Sequence, residues 1–295
     1  MPDLKPGVKL PNTDAQWQEV DLFFRAELPI SEIDESSVNE CVLKMTNTIY
    51  DFFANNFGTM KRSNASDEEL HNRYENYTNR LKRKTFGDGY TKLNLEAEEK
   101  LSPTFNLTRC TDYFKNVWKC SVCPRLTFNI PDWIPNLAGA IFQTTPPTYA
   151  QITSIVRKMK SKGSVCPLDQ LSIIPFKKSA YLRSYLTEIT NEVWKSGKIP
   201  IIWKRAITIL IHKKDSTDDP GNFRPITLES VPLKIFTSAM RNRMYEFLLK
   251  NKYIESSVQK GFTSAMTATF EHTAQLSHLI RQAKKQQRSL IVTLL

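Results

Sequence analysis

Three cations, Lys213, Lys214 and Arg224, sit within a short stretch that has the pattern of a ribbon. Two apolar runs, Arg205–His212 and Asn222–Leu228, bracket a polar stretch that ends in Asp218, Asp219, Pro220 and Gly221. Alternation in the runs and the turn residues between them predict a β-hairpin. Ile207, Ile209, Ile211 and Lys213 then share one face of the first strand, and Asn222, Arg224, Ile226 and Leu228 share a face of the second. Lys213 and Arg224 are expected to point the same way. A guanidinium grips two phosphate oxygens at once, and an ammonium acts as a point charge. Cations on a rigid ribbon therefore suit a triphosphate, where they offset charge that builds on a transferring phosphoryl group. The plainer alternative is a basic rim with Arg224 in a structural ion pair.

Groups that hold metals are scarce. Phosphoryl transfer with two metal ions needs carboxylates that bridge them. Asp218-Asp219 lies beside Pro220, where a solvated turn is expected. Cys120 and Cys123 have metal-ligand spacing, with Cys110 nearby, but no second pair follows and no histidine is close, so ordinary thiols are expected. His212, His272 and His278 form no metal spacing. No glycine-rich phosphate loop or dinucleotide fingerprint is present, and only 9 of the 295 residues are glycine.

Charge is unevenly divided. Residues 1–150 hold 17 Lys/Arg against 20 Asp/Glu, a net of −3, whereas residues 151–295 hold 24 against 10, a net of +14. A basic half points to a polyanion, with nucleic acid ahead of a membrane surface. The five cysteines are an odd number, and no apolar leader or membrane-length segment is seen. These features predict an intracellular protein, nuclear or cytoplasmic, with no membrane partner.

Several elements can position the hairpin. Thr13 to Gln16 fits a capping box ahead of a helix through Trp17, Val20, Phe23 and Phe24. A second helix through Val38, Val42, Met45, Ile49 and Phe53 should stop before Gly58. One or two weak helices are expected over 60–100. Residues 101–147 carry six prolines, including Pro103, Pro124 and Pro147, and read as loop and linker. Helices follow over 149–160 and through Leu182, Tyr185, Leu186, Ile189 and Val193, the latter ending at Gly197. Between them, 164–174 reads as extended or looped. Pro232 opens another helix through Phe236 and Phe247, and 267–286 is helical. In that last helix Leu276, Leu279, Ile280 and Ala283 form a core-facing stripe. Arg281, Lys284, Lys285 and Arg288 form a basic outer face, open to solvent or to backbone phosphates. Leu290–Leu295 has a buried-strand pattern with no sheet neighbours, expected to leave a partly ordered tail prone to aggregation.

Four pieces occur in order: Pro200 ahead of Trp203-Lys204; the aliphatic strand ending in Lys213-Lys214; Asn222-Phe223-Arg224-Pro225-Ile226-Thr227-Leu228; and Gln259-Lys260-Gly261-Phe262. Together they resemble the fingers region of reverse transcriptases from non-LTR retrotransposons. Cys166-Pro167-Leu168-Asp169 is similar to that family's upstream segment, which ends in Asp. The resemblance extends over residues 146–295. Departures are Phe223 for the commoner Tyr, Thr227 for Ser, Cys166-Pro167-Leu168 where many relatives carry Pro-Gly-Pro, and a run Thr263–Thr269 without glycine.

The resemblance implies an α+β fold. A mostly helical N-terminal extension and linker, 1–145, would precede a partial reverse transcriptase domain, 146–295, with fingers, the start of the palm and the basic β-hairpin. It implies that Arg224, with Lys213 or Lys214, touches the triphosphate. Asn222, Pro225, Gln259, Gly261 and Phe262 would line the template and nucleotide cleft. The parent reaction would be RNA-directed DNA synthesis on an RNA template with a DNA primer and magnesium. The family's metal-holding residues, an Asp closing a palm strand and an Asp-Asp pair on a later hairpin, have no counterparts here, and Leu290–Leu295 resembles the strand that leads into the first. The chain is therefore expected to be an N-terminal fragment, inactive alone and without a cofactor of its own. The alternative is a stand-alone nucleic-acid-binding module.

Overall fold

The computed structural model describes residues 5–60, 103–119, 139, 141–163, 165–213, 215–254 and 269–291. Within them, eight α-helices and one two-stranded antiparallel sheet make an α+β fold. The order is α1 (Asp14–Glu27), α2 (Val38–Phe57), α3 (Leu107–Trp118), α4 (Tyr149–Lys158), α5 (Ile174–Lys178), α6 (Ala180–Ser196), β1 (Ile207–His212), β2 (Phe223–Leu228), α7 (Val231–Lys250) and α8 (Thr269–Lys285). The described residues fall into two compact units. One is drawn from Met1–Asn129 with Thr145–Ala239, the other from Ile130–Thr144 with Met240–Leu295.

Local signals start and stop the helices of the first unit. At α1 the predicted capping box is present: Gln16 N donates to Thr13 Oγ1 at 3.3 Å, and Thr13 N donates to Gln16 Oε1 at 3.2 Å. Trp17, Val20 and Phe24 recur at helical spacing and are buried. Helix α2 buries Val42, Met45, Ile49 and Phe53 and ends at Gly58, whose φ of +82° favours glycine. Phe24 and Phe53 meet edge to face at 6.0 Å between ring centroids, which joins the two helices.

Helix α6 is the hub. It buries Leu182, Tyr185, Leu186, Ile189 and Val193 and stops at Gly197, φ +68°. Helices α1, α2, α4 and α5 all pack against it. Its first turn has four N–H groups without intrahelical partners. Ser179 Oγ accepts from Leu182 N at 3.0 Å and donates to Asp21 of α1, and Tyr181 N donates to the same carboxylate at 3.0 Å. The Asp21 charge therefore lies at the positive end of the helix. Tyr181 OH adds a bond to Leu28 O at 2.6 Å.

The structure departs from the sequence reading in three places. Residues 107–118 form α3 where loop and linker were expected. Asn106 caps it by accepting from Arg109 N at 2.8 Å, and Pro103 lies outside the helix rather than interrupting it. In α8, Leu279 and Ile280 are 49% and 38% exposed rather than core, because no member of that stripe is buried among the described residues. Leu290 and Ile291 are exposed and in no strand. The helices expected over 60–100, the Cys120–Cys123 pair and residues 292–295 lie outside the described residues.

Asp169 is 4% exposed in the turn before α5, where its Oδ1 accepts from Leu171 N at 3.1 Å. Burial pushes its carboxyl up to about 6, against the pull of that N–H and of the Lys234 and Lys5 charges.

Ser179→Ala removes the cap of α6 and one of the hydrogen bonds to Asp21, which keeps that from Tyr181 N, and should cost about 1–2 kcal/mol of stability in urea unfolding. For Asp169 the folded value lies above the unfolded one. The native state holds an extra proton between pH of about 4 and about 6, and stability falls as pH rises through that window. Asp169→Asn keeps an oxygen for Leu171 N. It should flatten that pH dependence and raise stability at pH 7 by up to about 3 kcal/mol, read from unfolding midpoints across the window.

Candidate phosphate-binding hairpin

Strands β1 and β2 pair antiparallel, with Ile207 opposite Leu228, Ile209 opposite Ile226 and Ile211 opposite Arg224. Directly opposed residues share a face. One face therefore carries Ile207, Ile209, Ile211, Arg224, Ile226 and Leu228. The other carries Thr208, Leu210, His212, Phe223, Pro225 and Thr227. Lys213 N donates to Asn222 O at 2.8 Å, which sets 213 and 222 at a hydrogen-bonding position of the ladder, while Asn222 N turns to Asp219 O at 3.0 Å. Counting back by twos, Pro225 opposite Leu210 falls at a position whose N–H would face the open edge, so its missing donor costs the ladder nothing.

A two-stranded ribbon is marginal by itself, and this one is held at both ends. Near its base, Trp203 is 2% exposed and packs 5.8 Å from Phe236, which also meets Trp194 of α6 at 6.0 Å. At its far end Phe223 is 2% exposed, edge to face with Phe105 at 5.3 Å. Thr104 N donates to Thr217 O at 3.2 Å, and a side chain on Gly221 would come within 2.9 Å of the Tyr113 hydroxyl of α3. The segment read as linker is thus the support of the hairpin turn. The signal for it was present: Asn106 ahead of Leu107, Cys110, Phe114 and Val117 at near-helical spacing.

The turn uses most of its polar groups internally. Asp218 accepts from Ser216 Oγ, which holds its carboxyl below the ordinary value. Asp219 accepts from Gly221 N at 2.8 Å, and Asn222 Nδ2 donates to Ser216 O at 2.9 Å. Lys213 Nζ donates to Gly221 O at 3.1 Å, which leaves two of its three protons free. Arg224 is exposed and makes no ion pair with a described residue. Beside it the face is apolar, with Ile209 and Ile226 42% and 41% exposed. Pro225 lies on the opposite face and is half-buried, while Lys214, Gln259, Gly261 and Phe262 lie outside the described residues. Cys166 is buried, and that burial pushes its thiol up, away from nucleophilic chemistry.

A shallow groove of about 510 Å³ flanks the turn, lined by residues that include Asn106, Arg109, Asp112, Tyr113 and Asp219. Its lining sets one cation, Arg109, against Asp112 and Asp219. Among the described residues no group of three or more His, Cys, Asp or Glu gathers as metal ligands, and no helix is long and apolar enough to cross a membrane.

With this geometry in hand, comparison with known proteins adds ancestry. Over 110 residues the chain is 29% identical to the retrovirus-related Pol polyprotein from type-1 retrotransposable element R2 of Nasonia vitripennis. That match supports a retrotransposon-related origin. It spans 37% of this chain and about a tenth of that polyprotein's length. No family model matches the chain.

The packing separates residues that hold the hairpin from those that face outward. Phe223→Ala should cost about 3–5 kcal/mol of stability. Arg224→Gln should stay within about 0.5 kcal/mol of the parent, since nothing described leans on it. Paired denaturant titrations check both. A large loss at Arg224 would mean that its guanidinium serves the fold.

Proposed function

We propose that residues from about 146 onward derive from the fingers of an RNA-directed DNA polymerase and that the β1–β2 face carrying Arg224 contacts phosphate. The observation that carries this reading is the register: Arg224 stands exposed on a ribbon fixed at both ends, beside a flat apolar patch. The guanidinium supplies charge-assisted donors for a triphosphate, and Lys213 or Lys214 adds a point charge. The retrotransposon match and the ordered motifs point to the same ancestry. In this reading Asn222, Pro225, Gln259, Gly261 and Phe262 belong to the cleft around template and nucleotide, and Asn222 also braces the turn through Ser216 O.

Magnesium, which such chemistry would use, does not fit the residues described. Asp218 and Asp219 are engaged within the turn, and no further ligand joins them among the described residues. The chain supplies cations for phosphate, and RNA template and DNA primer are partners of the parent reaction. The basic half, at +14, favours a second reading, a module that binds nucleic acid without synthesis.

Anisotropy of a labelled deoxynucleoside triphosphate tests the first reading. Arg224→Gln should weaken binding about tenfold, the scale of one charged hydrogen-bonded contact. Equal affinity in the variant would remove Arg224 from the site, and nucleic-acid binding without triphosphate binding would favour the second reading. Primer extension on an RNA template should give no incorporation above a blank, and incorporation would overturn the expected inactivity.

A further inference from the structure

A second group of cations gathers at the end of α8. Arg281, Lys284 and Lys285 stand at i, i+3 and i+4, so they are neighbours on the helix surface, and all three are exposed. The helix closes in a way that adds a fourth. Gln287 has φ +52°, Gln287 N donates to Lys284 O at 3.2 Å, and Arg288 N donates to Ala283 O at 3.0 Å. This is the two-bond termination with a left-handed residue just past the helix, where glycine is the usual occupant. It turns the chain back so that the backbone of Arg288 lies beside the last turn. Arg288 is exposed as well.

No Asp or Glu follows Glu271 in the sequence, and no ion pair among the described residues engages the four cations. One or two cations at a helix C-terminus complement its dipole. Four together repel one another, by a few tenths of a kcal/mol per neighbouring pair. Helix stability alone therefore does not account for them. On a wheel of about 100° per residue the cations centre far round from the stripe of Leu276, Leu279, Ile280 and Ala283. The stripe itself holds no Trp, Phe or Tyr, and Phe270, the aromatic of this helix, falls about 120° round from it on the same wheel. A helix lying in a lipid headgroup layer seats Trp, Phe or Leu on that face, and of these the stripe has only the leucines. A polyanion with closely spaced charges needs only the cationic face.

We propose that Arg281, Lys284, Lys285 and Arg288 form a contact for the phosphate backbone of a nucleic-acid duplex, additional to the hairpin. This inference rests on the helix's own charges and not on the triphosphate reading. It predicts a specific salt dependence, because each neutralised phosphate releases condensed counterions.

The test uses the full chain and a labelled DNA duplex, with affinity measured across a salt series. The variant R281Q/K284Q/K285Q/R288Q should bind more weakly, and its slope of log affinity against log salt should be shallower by about 3–4, at roughly 0.9 per contact. The pair K284Q/K285Q should give about half that change, and far-UV circular dichroism shows whether either variant keeps its helices. An unchanged slope in a folded variant would overturn the proposal, as would absence of duplex binding. Loss of binding to phosphatidylserine vesicles with duplex binding intact would assign the cluster to lipid instead. Failure of the hairpin's triphosphate contact would leave the slope change standing, so the two outcomes can be told apart.

Discussion

The meeting of Asp21 with the start of α6 is the contact on which the first unit depends. Helix α6 is packed by four other helices, and Ser179 at its start is buried while Ala180 is exposed and Tyr181 half-buried. The first N–H groups of a helix need acceptors from outside it. Ser179 provides one, and Asp21 binds both Ser179 and Tyr181 N. The carboxylate in turn is stabilised by those donors and by the helix's positive end. These bonds tie α1 to α6. The apolar packing on either side then has one register.

From that hub the order passes to the hairpin. Trp203 enters the same core through Phe236, and Phe236 also touches Trp194 on α6. The base of the ribbon is therefore tied to the buried helix, while its far end rests on Phe105 and Tyr113. Because two aromatic anchors hold the ribbon, its remaining face need not be buried. Arg224 and the isoleucines beside it stay open to solvent, and Lys213 is partly committed to the turn. Position and exposure of the one guanidinium follow from packing at residues that carry no charge.

Much of this was legible from local signals. The capping box at Thr13, the glycine stops at Gly58 and Gly197, and the face shared by Ile211 and Arg224 all depend on residues close in sequence, and all are present. What escaped was either masked by composition or long in range. Helix α3 was hidden by the prolines around it, although Asn106 marked its start. The bond between Asp21 and Ser179 joins residues 158 apart, and no pattern in either stretch announces the other. Gly221 could be seen as a turn residue, but not as the place where Tyr113 approaches. The turn's claim on Lys213 and Asn222 was equally invisible, because it depends on where the carbonyls of Gly221 and Ser216 point.

Charge is used differently by its two signs. Several acids serve the fold: Asp21 at α6, Asp34 accepting from Ser36 N and Ser37 N, Asp169 in its turn, and Asp218 and Asp219 beneath the hairpin. Some cations do likewise, such as Arg183, which donates to the carbonyls of Phe176 and Lys177. Arg224 and the four cations of α8 form no ion pair with any described residue. An acid bound to backbone N–H groups is withdrawn from competition for those cations. Locking carboxylates into turns and caps therefore does more than close helices. At the hairpin it leaves Asp218 and Asp219 bound to Ser216 and Gly221, so that Arg224 has no carboxylate partner among the described residues.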